Sequence, residues 1–79
     1  MQTFKVGDKV KSTAKEVDFM GMCWIATIVE ARETTGTPDG FCYETVGMWH
    51  PVEGKTPVVK PDDEPTLRQL WSNHLVKVD

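Results

Sequence analysis

The chain is short of cysteine, of long apolar runs and of concentrated charge, and each shortage removes a class of protein. Its two cysteines are Cys23 and Cys42. If residues 22–32 and 40–49 pair as a hairpin around "TPDG", Cys42 falls opposite about residue 30 and Cys23 opposite about residue 48. The two sulfurs then stand several pairs apart, beyond the reach of a disulfide. Both are expected to remain thiols that pack as small hydrophobes. No apolar stretch approaches the ~20 residues of a membrane-spanning helix. The opening "MQTFKVGDKV" lacks the apolar segment of a secretory signal, so a cytoplasmic location is expected and no membrane partner. The formal charge is −3, and the densest basic stretch, Lys5 to Lys15, also holds Asp8. Duplex binding needs a concentrated positive face, which discounts nucleic acid as a partner. His50 and His74 lack short ligand spacing to each other or to the cysteines, so no metal site is expected. Nucleophile elbow, phosphate loop and zinc-binding helix signatures are all missing.

What is present is a small single domain, residues 1–79, with 39% hydrophobic and 27% charged residues. A chain of this length buries only about 60–65% of its unfolded surface, and association between copies is a common remedy. Six glycines and five prolines imply many turns. Gly7-Asp8 is a turn signal, followed by a half-buried strand around Val10. Residues 13–21 have no clean period. A loop anchored by Phe19 or Met20 is expected there, with one helical turn over Ala14 to Met20 as the alternative.

"MCWIATIVEARE" is the strongest strand, rich in β-branched and aromatic residues. Alternation puts Trp24, Ala26 and Ile28 on one face, and Cys23, Ile25, Thr27 and Val29 on the other. Two apolar faces on one strand point to an inner strand of a small barrel, or to one face covered by another subunit. Pro38-Asp39-Gly40 presets a turn, and "FCYETVGMWH" returns antiparallel, with Gly47 expected to mark a bulge or bend. Residues 51–66 form a long inserted connection with four prolines, in which Pro57-Val58-Val59 could add a short edge strand and Asp62-Asp63-Glu64 a solvated acidic loop.

The ending "TLRQLWSNHLVKVD" admits two parses. Leu67, Leu70, Trp71 and Leu75 share one face of a helix. Alternatively the stretch is a strand, a 3₁₀ turn and a last strand. The second parse is preferred, because it completes a five-stranded, all-β, SH3-like small barrel and removes exposed sheet edges.

The succession of "GDKV", "WIATIV", "TGTPDGFCYE" and His50-Pro51 resembles the plasmid-encoded type II dihydrofolate reductases. Gly7, Asp8 and Val10 match the first element of that family, and Trp24, Ile28 and Val29 the second. Thr37, Pro38, Gly40 and Glu44 match the third. The resemblance implies an SH3-like barrel, an origin on a mobile element or phage, and a homotetramer with a central pore. In that pore NADPH and dihydrofolate would meet over a strand that corresponds to Arg68-Gln69-Leu70-Trp71. Gln69 is retained, Leu70 and Trp71 are replacements in kind, and Arg68 stands for a valine. Ser12 occupies the place of the pore lysine, leaving Lys11 and Lys15 as the cations that could attract anionic substrates.

With the lysine position changed, the leading expectation is a non-enzymatic binding or assembly module without catalytic residues or cofactor. It would act as a homo-oligomer, a dimer or tetramer, or on a protein partner, through Phe41, Tyr43, Trp49 and Trp71. The NADPH-dependent reductase, with Gln69, Leu70, Trp71, Lys11 and Lys15 at its site, is the first alternative. The second is a small acidic inhibitor that docks Asp62, Asp63 and Glu64 on a basic target.

Overall fold

The strongest sequence pattern becomes the longest strand, and the rest of the sheet is assembled around it. The computed structural model describes residues 2–78. In chain order the elements are β1 (Lys9–Ser12), α1 (Ala14–Met20), β2 (Met22–Glu33), β3 (Phe41–Pro51) and β4 (Thr66–Leu70). A 3₁₀ turn (Ser72–His74) and β5 (Leu75–Lys77) follow. All pairings are antiparallel and form a single five-stranded sheet, in the order β4-β3-β2-β1-β5. The all-β expectation holds, with one short helix added, but β4 and β5 stand at opposite ends of the strand order and are not paired among the described residues, so the expected closure that removes sheet edges is not seen. The C-terminal stretch adopts the strand, 3₁₀ turn and strand parse.

Four local expectations are corrected. Residues 14–20 are helical rather than a loop, because both ends are capped. The Thr13 hydroxyl accepts from Glu16 N (3.4 Å), and Gly21 closes the helix at φ 70° with its N–H on Val17 O (2.8 Å). Phe19 points to solvent with 75% exposure, and Met20 alone packs on the core. The bulge lies between Ile28 and Glu30 rather than at Gly47. Gly47 sits in the ladder opposite Ala26, where a Cβ would come within 2.0 Å of Ile25 O. Its requirement is close approach, not bending. Pro57-Val58-Val59 forms no strand. The connection is fastened instead by Val58 N to Met20 O (3.0 Å), Lys55 to Asp18 (2.6 Å) and Trp49 N to the Asp62 carboxylate (3.0 Å).

The bulge matters for what faces inward. Trp24, Ala26 and Ile28 are buried in strict alternation. Without an extra residue the next inward position would be Glu30. With Val29 bulged, Ala31 takes that position and packs on the core. The core is Phe4, Val10, Met22, Trp24, Ala26, Ile28, Tyr43, Trp49 and Leu75. Trp24 and Trp49, paired across β2 and β3, stand 5.4 Å apart between ring centroids.

Polar atoms inside this core are matched. The Trp24 indole donates to the Thr45 hydroxyl (2.9 Å), which donates to Arg68 O (2.9 Å), so one relay ties β2, β3 and β4. The Ser12 hydroxyl accepts from Trp24 N (2.9 Å). Among the described residues no buried side-chain nitrogen or oxygen lacks a partner. The cysteines are free and half-buried, and the hairpin register sets Cys42 opposite Arg32 and Cys23 opposite His50. That is two positions beyond the expected pairing, and the sulfurs are far apart as expected.

Candidate functional site: the outer face of the sheet

Cross-strand pairing sorts side chains by face, since directly opposed residues project to the same side. Tyr43 and Thr45 are buried, so their partners Leu70 and Arg68 lie on the core side of β4. Glu44 and Val46, with partners Gln69 and Leu67, lie on the outer side. The outer face therefore reads as rows across the strands. One row is Val76, Lys11, Ile25 and Met48; the next is Lys9, Thr27, Val46 and Leu67; a third is Glu30, Glu44 and Gln69. The first two rows put apolar side chains from β5, β2, β3 and β4 on one surface. Ile25 is 46% exposed, Leu67 56% and Val76 40%. Isolated exposed aliphatics are ordinary; here three of them share one face of the sheet.

Charge is divided across this surface. Lys9 and Lys11 border it on β1, and neither side chain has an ion pair or hydrogen bond among the described residues. The third row is acidic. Arg32 bridges Glu30 (3.2 Å) and Glu44 (3.4 Å), and Gln69 Nε2 donates to Glu44 (3.1 Å). Hydrogen bonds with Glu30 and then Gln69, together with the Arg32 charge, hold the Glu44 carboxyl below its ordinary range. The Glu30 hydrogen bond and the two carboxylate charges keep the Arg32 guanidinium firmly protonated.

Two hollows adjoin the sheet. A groove of about 350 Å³ lies where α1 meets the outer face, with Ala14, Val17, Cys23 and Val76 as apolar walls and Lys11 and Asp18 among its lining. A second, of about 490 Å³, lies at the β2–β3 hairpin tip beside Glu33, Thr34, Asp39 and Phe41. Asp39 there is engaged structurally. Burial opposes its charge, but hydrogen bonds from the Tyr43 hydroxyl, from Thr3 and from Phe41 N hold its pKa below the usual carboxylate range. Burial, and then the bond to Asp39, push the Tyr43 hydroxyl up. The described residues contain no cluster of three or more metal-ligating side chains. No helix of the described chain is long and apolar enough to cross a membrane.

Comparison with family models, with curated proteins and with solved structures gives no match. Function therefore has to be judged from the chain's own geometry.

The expected partner-binding aromatics are not brought together on the surface. Tyr43 is fully buried, Trp49 is 7% exposed and Phe41 is half-buried beside Tyr43. Their alternation turns them inward, and the Arg68 guanidinium lies 4.9 Å from the Trp49 ring and 5.7 Å from the Trp24 ring, closing that side. Of that set Trp71 alone is exposed, at 42%, stacked on His74 at 5.9 Å. His74 also faces Glu16 (3.7 Å).

Gln69 and Trp71 are exposed at the β4 edge of the sheet, while Leu70 packs on the core. Lys11 is on the outer face but three strand positions from β4, roughly 14 Å within one chain. Lys15 is exposed on α1. Ser12, at the expected lysine position, is buried against Trp24. In the acidic loop, Asp62 is occupied by Trp49 N, and Asp63 and Glu64 are exposed.

Sequence reasoning missed Arg68 as an aromatic lid and Glu30 as part of a charged border. The first follows from which face of β4 is inward, and the second from the bulge. Neither is encoded by a local pattern.

Proposed function

We propose that this chain is a non-enzymatic binding and assembly module, an SH3-like small barrel that associates with copies of itself through the outer face of its sheet. The observation that carries the reading is the apolar surface spread over β5, β2, β3 and β4, opposite a complete and satisfied core. A monomer would leave it in water, and burying such area is the main driving force of association. The barrel reading is supported by the strand order, in which β5 returns to β1 after the four-strand meander.

Light scattering over a wide concentration range tests the reading. A mass that exceeds one chain and rises with concentration is expected. A single-chain mass throughout overturns it.

A second reading, an NADPH-dependent reductase working as a homotetramer, is favoured by Gln69 and Trp71 standing exposed along the β4 edge. Symmetry-related copies of that edge could frame a site that acts by proximity. It requires a tetramer that binds NADPH saturably below millimolar concentration; a tetramer without that binding removes it.

A further inference from the structure

We infer that a second copy of this chain docks face to face on the outer surface of the sheet, with Lys9 and Lys11 of each copy set against the Glu30–Glu44 row of the other. The inference rests on the assembly reading above and specifies its surface, symmetry and polarity.

The first support is self-complementarity. A two-fold contact uses the same patch twice, so the patch must contain both halves of every interaction it makes. This face does. Its middle is apolar, with Ile25, Val46, Met48 and Leu67. One border is cationic and the other acidic. A two-fold axis lying in the face near Thr27 carries the cationic border of one copy over the acidic border of its mate. The strands then cross at a steep angle, within the range seen for packed sheets.

The second support is the state of the charges. Among the described residues Lys9 and Lys11 have no counter-ion. The acidic row carries two carboxylates against the single guanidinium of Arg32, and the Glu30 side chain is 48% exposed. Each border lacks what the other holds.

Other occupants fit less well. A nucleic acid or anionic lipid surface would meet Glu30 and Glu44 with its own negative charge. A strongly acidic protein would do the same, and a basic one would oppose Lys9 and Lys11. Only a surface with both signs, in mirrored places, satisfies both borders.

Charge reversal tests this directly. The variants are Lys9→Glu with Lys11→Glu, and separately Glu30→Lys. These are solvent-facing positions, and thermal melts verify that each variant folds. Sedimentation of each variant alone is expected to show association weakened at least tenfold relative to the parent chain. An equimolar mixture of the two is expected to recover a complex that contains one of each. Alkylation of Cys23, at the edge of the face, should slow as the parent chain is concentrated and should not slow in either variant alone. Association that is unchanged in both variants, with no gain on mixing, overturns the polarity proposed here while the assembly reading stands. A parent chain that stays monomeric at every concentration overturns both.

Discussion

The two faces of this sheet are built from similar residues and differ in what closes them. On the inner face Trp24, Ile28, Tyr43 and Trp49 are covered by β1, the N-terminal segment through Phe4, and Arg68, and among the described residues each buried side-chain nitrogen and oxygen has a partner. On the outer face Ile25, Leu67 and Val76 are exposed, Val46 and Met48 are partly buried, and α1 forms a rim beside them. The inner face explains why the chain folds. The outer face is where the proposed association would bury apolar area. For so small a domain, the second face is also a reserve of burial that association can use.

The contrast can be broken from the inside first. Trp24→Ala removes the largest buried side chain and the indole donor to the Thr45 hydroxyl, and about 3–5 kcal/mol of stability should be lost. For a domain this size that is much of the total, so chemical denaturation should find the variant largely unfolded. Gly47→Ala places a methyl against Ile25 O and the Ala26 backbone, and a loss of about 1–3 kcal/mol is expected, read as a lower denaturation midpoint.

Tyr43→Phe should cost roughly 1 kcal/mol, because the N–H groups of Thr3 and Phe4 lose the hydroxyl acceptor. It also has a pH signature. The folded pKa of Tyr43 is raised, so its contribution is complete below the ordinary tyrosine range and is lost as pH rises through the folded value. Alkaline destabilisation should be shallower in the variant. Asp39 behaves oppositely: its folded pKa is lowered, so its contribution is present above the ordinary carboxylate range and is lost as pH falls through the folded value. The smallest effect belongs to the outer face. Ile25→Ser should leave the stability of the dilute chain within about 0.5 kcal/mol and weaken self-association. A large loss of stability at dilution would show that the face is part of the monomer's own core.

The sequence made the two-faced character of β2 readable, because Trp24-Ala26-Ile28 and Cys23-Ile25-Thr27 alternate over a long β-branched run. The hairpin and the C-terminal strand, 3₁₀ turn and strand were readable for similar reasons, through Pro38-Asp39-Gly40 and the alternation of "VKV". The helix was only half readable. Thr13 and Gly21 are cap residues, but a seven-residue helix with no fully buried side chain leaves no stripe. The aromatic patch failed for a definite reason. Phe41, Tyr43 and Thr45 were correctly placed on one face, but nothing local says which face of a strand is inside. That decision is made by the partner strands. The same indeterminacy hid Arg68, whose charge suggests solvent and whose position is over two tryptophan rings.

The bulged residue Val29 acts as a phase change within β2. Residues before it and after it obey opposite parities, and Ala31 and Glu30 have the right orientations only because one residue is counted out of the ladder. The strand is thus two short words joined by a silent letter. Pressing that letter into regular pairing would leave composition untouched, yet it would turn Glu30 toward the core and Ala31 toward the outer face. Which side chains in the second half of β2 meet the core is decided at a single position.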